Sequence, residues 1–336
     1  MIKRIILFLL VAANSGTVLS ADTLEDVEKA AIKGDASSQY LLGQRYEAGK
    51  GVDKDLKSAA DWYRKAAKQG NSKAQTNLGF LYESGRGVEK DPDKAMAWYR
   101  KAADQGDAKA QLNIARMYFG GIGMDKDEAE GLKWLKQSAG NGDTQAMVHL
   151  GKMHQHGKGM EKDVVRASQW YRLAAEKGDP VAQHELGLNY YWGKGVEKDY
   201  AQSVNWHRKA AKKKFPPAEY SMGLRYAKGK GVKKDMAKAA GWYRKASKHA
   251  HPGAQNNLGL MYLKGQGIDQ DYKKAMAQFK KASKRGYPPA QYHLGNMYLK
   301  GQGVKKNNKE ARKWFQKAAY AGYKNAKKAL KSMGDG

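Results

Sequence analysis

The sequence predicts an all-α fold, a solenoid of eight 36-residue helix–turn–helix repeats closed by a capping helix at each end. Three columns of residues predict it. Gly43, Gly79, Ala115, Gly151, Gly187, Gly223, Gly259 and Gly295 recur with no insertion between them. Gly49, Gly85, Gly121, Gly157, Gly193, Gly229, Gly265 and Gly301 form a second, unbroken column. Gly51, Gly87, Gly123, Gly159, Gly195, Gly231, Gly267 and Gly303 form a third. A fixed period of this length marks stacked helix pairs, each burying its apolar face only against its neighbours.

In chain order, residues 1–21 read as a signal peptide. Lys3 and Arg4 precede an apolar run over 5–13, and small residues follow at Ser20 and Ala21. That order directs export, to the periplasm or beyond, with cleavage near 20–21. The run is far shorter than the ~20 residues that span a bilayer, although an uncleaved anchor is the rival reading. The absence of cysteine rules out a disulfide framework and a lipid-modified start. Residues 22–35 then supply an N-terminal cap, with an orphan second helix over 24–33. The repeats occupy 36–322, and 323–336 form a C-terminal cap with an orphan first helix over 325–333.

Within the second repeat, the first helix runs over about 74–84, with Leu78 and Tyr82 on its core face at i,i+4 spacing. Gly79 between them lets a neighbouring helix approach. Gly85 provides the left-handed residue that ends the helix, and Val88 joins an apolar column after the turn. The second helix begins at Asp91. Its column reads Asp55, Asp91, Asp127, Asp163, Asp199, Asp235, Asp271 and Asn307, residue types that cap a helix N-terminus. Ala59, Ala95 and Ala167 allow close packing, and Trp62, Trp98, Trp134, Trp170, Trp206, Trp242 and Trp314 are read as core.

The spaced pattern Ala74-Gln75, Leu78-Gly79, Tyr82, Gly85, Gly87-Val88, Asp91, Ala95, Trp98-Tyr99, Ala102-Ala103 and Gly106 resembles the Sel-1-like repeat, a relative of the tetratricopeptide repeat. The resemblance covers residues 24–332. It implies a right-handed superhelix whose first helices line a concave groove, and an adaptor role as a non-enzymatic, protein-binding monomer. Some exported members of that family are immunity proteins that neutralise secreted effectors such as phospholipases. The departures are Ala115, His154, Gln278, Lys214 and Ala250, each altering one repeat position.

Charge divides the chain. Residues 22–200 hold 28 Lys+Arg against 27 Asp+Glu, whereas 201–336 hold 32 against 6, a net of +26. In parallel, the residue opening each repeat changes from Asn71, Asp107, Asp143 and Asp179 to Phe215, His251, Tyr287 and Tyr323. Self-repulsion on this scale destabilises a fold, which favours an anionic partner over a merely solvated lysine face.

Carrying the groove over by resemblance selects Phe80, Phe119, Tyr191, Trp192, Lys228, Leu263, Lys264, Leu299 and Lys300 as candidate partner-binding residues. Lys228, Lys264 and Lys300 share one column, and aromatic anchors beside polar groups are what interfaces use as hot spots. The expected partner is an acidic protein segment, with an anionic membrane surface or envelope polymer as the alternative. Nucleic acid is disfavoured by export. No nucleophilic cysteine exists, the histidines lack His-x-x-x-His spacing, and the Gly-x-Gly turns follow no strand. Neither catalysis, nor a cofactor, nor a metal is expected.

Overall fold

The computed structural model describes residues 23–334, so the signal peptide predicted over 1–21 lies outside the described residues. Those described form eighteen α-helices and no strand. They fall into two units, one ending at Asn141 and one starting at Gly142. The first holds α1 (Leu24–Ile32), α2 (Ala36–Ala48), α3 (Leu56–Lys68), α4 (Ser72–Ser84), α5 (Pro92–Ala103), α6 (Ala108–Gly120) and α7 (Glu128–Gly140). The second holds α8 (Thr144–His156), α9 (Val164–Glu176), α10 (Pro180–Trp192), α11 (Tyr200–Lys212), α12 (Pro216–Lys228) and α13 (Met236–Lys248). It continues with α14 (Pro252–Lys264), α15 (Tyr272–Ser283), α16 (Pro288–Lys300), α17 (Asn308–Tyr320) and α18 (Lys324–Ser332). Within each unit the even-numbered helices from α2 to α16 open the repeats and the odd-numbered ones from α3 to α17 close them. Val27 and Ala31 of α1 pack on Leu42 of α2, and Ala326 of α18 packs with Phe315 of α17.

Helix ends follow the local chemistry of the sequence. The Asp column caps every closing helix; the Asp91 side chain, for example, accepts from the Lys94 N–H at 2.9 Å, and Asn307 does the same for α17. Each opening helix of a repeat ends on a left-handed glycine, Gly85 at φ 67° among them. Asn71, Asp107, Asp143 and Asp179 cap α4, α6, α8 and α10. Phe215, Tyr287 and Tyr323 make no side-chain cap bond, and His251 caps through Nδ1. At Pro216, Pro252 and Pro288 the first helical position has no N–H to satisfy, which offsets part of that loss.

The core seam corrects one expectation. The tryptophan column is half-buried except at Trp206, and lysines three residues on lie over several rings, Lys65 at 3.8 Å from the Trp62 centroid and Lys245 at 4.2 Å from Trp242. The innermost aromatic is the next residue. Tyr63, Tyr99, Tyr171, His207, Phe279 and Phe315 are fully buried, each across from the helix glycine of its own repeat. A Cβ on Gly79 would sit 2.7 Å from the Tyr99 ring, and one on Gly295 2.5 Å from Phe315. Where the glycine becomes Ala115, the residue in the ring's register is Leu135, and both are fully buried. The two departures compensate in size.

The other departures are absorbed as simply. His154 replaces a tyrosine whose structural duty belongs to the backbone: its carbonyl accepts from Asp163 N–H at 2.8 Å, as that of Tyr82 does from Asp91. Gln278 accepts from the Ser247 hydroxyl at 2.8 Å. Lys214 and Ala250 hold φ of 58° and 61° in the left-handed region, where other repeats use glycine. That conformation costs an L-residue ~1–2 kcal/mol, against ~0.4–1 kcal/mol for a glycine's extra unfolded-state entropy. Ala250→Gly is therefore expected to stabilise the fold by about 0.5–1 kcal/mol. An unchanged or lowered denaturation midpoint would refute this.

Candidate functional site

The sequence-selected residues meet different fates. In the first unit, Phe80 is half-buried against the α5–α6 core, and Phe119 packs over α7, where a Cβ on Gly131 would meet its ring at 2.9 Å. In the second unit, Leu263 and Leu299 are half-buried on the clusters beneath them. These four therefore spend much of their apolar surface on the fold. Lys228, Lys264 and Lys300 are exposed and end α12, α14 and α16, where a cation complements the helix dipole. Among the described residues none of the three forms an ion pair; the basic region's carboxylates serve elsewhere, as Asp235 does with Lys238.

Tyr191, Trp192 and Lys228 come together. They border a recess of about 290 Å³ between α10 and α12. From α10 come His184, Leu188, Tyr191 and Trp192; from α12 Tyr220, Leu224, Arg225 and Lys228; His251 lies at the start of α14. Trp192 is 63% exposed and meets Tyr191 edge-on at 4.7 Å. Tyr191 in turn lies 3.4 Å over the Arg225 guanidinium. Tyr220 stacks on His251 at 4.5 Å, completing a second aromatic wall.

Arg225 is the residue that sequence reasoning missed. It is 3% exposed, its Nε has no hydrogen-bond partner, and among the described residues no carboxylate pairs with it. Burial pulls its guanidinium below the ordinary value, and the tyrosines around it act in the opposite direction. The signal was present: its column otherwise reads Leu81, Met117, Met153, Met261 and Met297, with polar departures at Arg45, Asn189 and Arg225. Asn189 finds a partner in Ser168 at 2.7 Å. His207 departs from the buried-ring column in the same region, and its ring lies 5.1 Å from that of His184.

These histidines predict a pH response. Burial, then His251 and Arg225, push His184 from 6.5 down to about 4. Burial, then His184 and Arg225, push His207 well below 6.5, and burial with Lys264 takes His293 to about 4. The unfolded chain thus takes up protons that the folded chain refuses. Stability is fully present above the ordinary value of 6.5 and is lost as pH falls toward 4. Each fully sequestered ring sets an upper slope of ~1.4 kcal/mol per pH unit. Thermal midpoints across this window should fall and should fall less in His207→Tyr, which restores the residue of Tyr171 and Tyr243. A flat profile sinks the prediction.

The fold thus defines an all-α protein of tandem helix pairs. The Sel1 repeat family model matches 36–71, 72–107, 108–143, 144–179, 180–215, 216–251, 252–287 and 288–323. The chain belongs to the Sel1 repeat family. It is similar to a Sel1 repeat protein from Oxalobacter formigenes, at 34% identity over 94% of this chain and 92% of that one, with a TM-score of 0.67. It is also similar to a protective antigen of uropathogenic Escherichia coli strains with an SLR fold, at 32% identity over 91% and 73%, TM-score 0.63. An immunity protein from Pseudomonas aeruginosa aligns at 22% identity over 63% and 81% with a TM-score of 0.44, a likeness that bears on neither partner nor role. No curated protein matches the chain. Sel1 repeat proteins are generally non-enzymatic scaffolds that bind proteins. Among the described residues no helix is long and apolar enough to cross a membrane.

Proposed function

We propose that this protein is an exported scaffold that binds an acidic protein partner through the α10–α12 recess of its second unit. The observation that carries the reading is Trp192, a large aromatic left 63% exposed at the mouth of a recess that Arg225 and Lys228 also line. Exposed aromatic anchors together with arginine are the side chains that dominate interface energies. The basic character of 201–336 steers an acidic partner toward this unit. Export rests on the sequence of 1–21. An effector-neutralising role is one form of this reading, in which the captured partner is a secreted enzyme such as a phospholipase.

The test is affinity capture by residues 22–336 from envelope and supernatant extracts, at low and high salt, beside Trp192→Ala/Lys228→Glu. Recovery of one stoichiometric protein that survives moderate salt and is lost in the double variant is the expected result. Equal recovery by the variant ends the assignment to this recess. Recovery of anionic lipid or polymer alone, released by salt, establishes instead that the exposed Lys264 and Lys300 serve an envelope contact.

A further inference from the structure

The recess between α10 and α12 contains a charge that the fold itself leaves unanswered. Arg225 occupies a column where four other repeats place methionine, so the helix packing has no need of a cation there. Burying a guanidinium without a carboxylate is among the costlier things a core can do. What the protein provides instead is a frame: Tyr191 lies 3.4 Å over one face of the guanidinium, and Nε is buried with no partner. Around it stand Leu188, Tyr220 and Leu224, with Lys228 exposed at the rim. His184 does not compete as a second cation, since burial and its charged neighbours hold it neutral near pH 7.

We infer that this recess is a seat for a carboxylate carried next to an aromatic or large apolar side chain, resting on the partner-binding reading above and giving that partner its chemistry. The carboxylate accepts from Arg225, and from Lys228 at the rim, while the neighbouring side chain lies against Leu188, Leu224 and the aromatic walls. Guanidinium–carboxylate bonds are directional and strong where water is excluded. Arg225 is thus a recognition residue whose burial holds it in place before the partner arrives, which lowers the ordering cost of binding. The carboxylate is supplied by an aspartate or glutamate side chain or by a chain terminus, and both present the same two oxygens.

The experiment uses the mature chain and three short blocked peptides ending in phenylalanine, titrated by the indole NMR signal of Trp192. One carries a free terminal carboxylate, one an aspartate before an amidated phenylalanine, and one an asparagine in that place with an amidated end. At least one carboxylate peptide should bind about tenfold or more tightly than the neutral one, the worth of a charge-assisted hydrogen bond. The first two peptides separate a terminal from a side-chain source. Arg225→Met should abolish that preference while raising the melting temperature, so the loss cannot be ascribed to unfolding. Equal affinities for the charged and neutral peptides, an undiminished preference in Arg225→Met, or no saturable binding at all overturns the seat. Should Arg225→Met instead leave capture of the stoichiometric partner intact while Trp192→Ala/Lys228→Glu abolishes it, the seat fails and the scaffold reading stands.

Discussion

Gly79→Ala is expected to destabilise the protein by about 1–3 kcal/mol, although alanine is the better helix former by ~1 kcal/mol. The added Cβ would lie 2.7 Å from Tyr99 Cε1 and 3.1 Å from the Ala95 carbonyl oxygen. The ring cannot retreat: it is fully buried and its hydroxyl donates to Glu83 at 2.7 Å. Overpacking therefore outweighs helix propensity. Tyr99→Leu alone should cost about 2–3 kcal/mol through lost burial and the lost hydroxyl bond. The two together rebuild the pair that Ala115 and Leu135 form in the third repeat, so the double variant should be no less stable than Tyr99→Leu. A cycle of denaturation midpoints checks this, and strictly additive losses would mean the third repeat relaxes by some route other than this size exchange.

Arg225→Met should have the opposite sign, a gain of about 1–3 kcal/mol. It removes a desolvated cation that has no ion pair among the described residues and installs the residue found at Met261 and Met297, both nearly inaccessible to solvent. The lost stacking on Tyr191 offsets part of this, about 2 kcal/mol for a desolvated pair. Met261→Arg is the reciprocal control and should cost several kcal/mol, because the residue of α12 that corresponds to the Tyr191 lid is Ala227, which offers no ring to the charge. A loss of stability in Arg225→Met would show that the Tyr191–Arg225 stack is a structural keystone and would remove the reason to regard the charge as held for a ligand. The two experiments probe one column logic from its two sides: Gly79 tests what the repeat requires, Arg225 what one repeat has given up.

Sequence and structure differ most at the aromatic columns. Trp98 and Tyr99 are adjacent, large and recurrent, and hydrophobicity alone ranks the tryptophan as the deeper of the two. Their order of burial depends on which side chain points at Gly79, a matter of helix crossing that no single-residue scale contains. Likewise Phe80, Phe119, Leu263 and Leu299 are positioned by spacing on one helical face, yet how much of each ring or chain is covered depends on the neighbouring helix. Gly131 makes room for Phe119 in this way, and that allowance cannot be seen until the two helices are packed.

What the sequence determined by itself is the periodic part: helix boundaries, caps, left-handed turns and the uneven charge. Each follows from chemistry within a few residues, an aspartate accepting a nearby N–H or a glycine tolerating positive φ, and repetition raises that local signal above chance. The recess was decided only by tertiary structure. Tyr191 and Trp192 could be singled out as unneeded by the repeat, and Arg225 could have been noticed as a charge in a methionine column. That Arg225 lies beneath Tyr191, facing a cavity with no carboxylate paired to it among the described residues, depends on the distance between α10 and α12. Electrostatic consequence is set by that distance and by the water it excludes, and neither is a property of any residue taken alone.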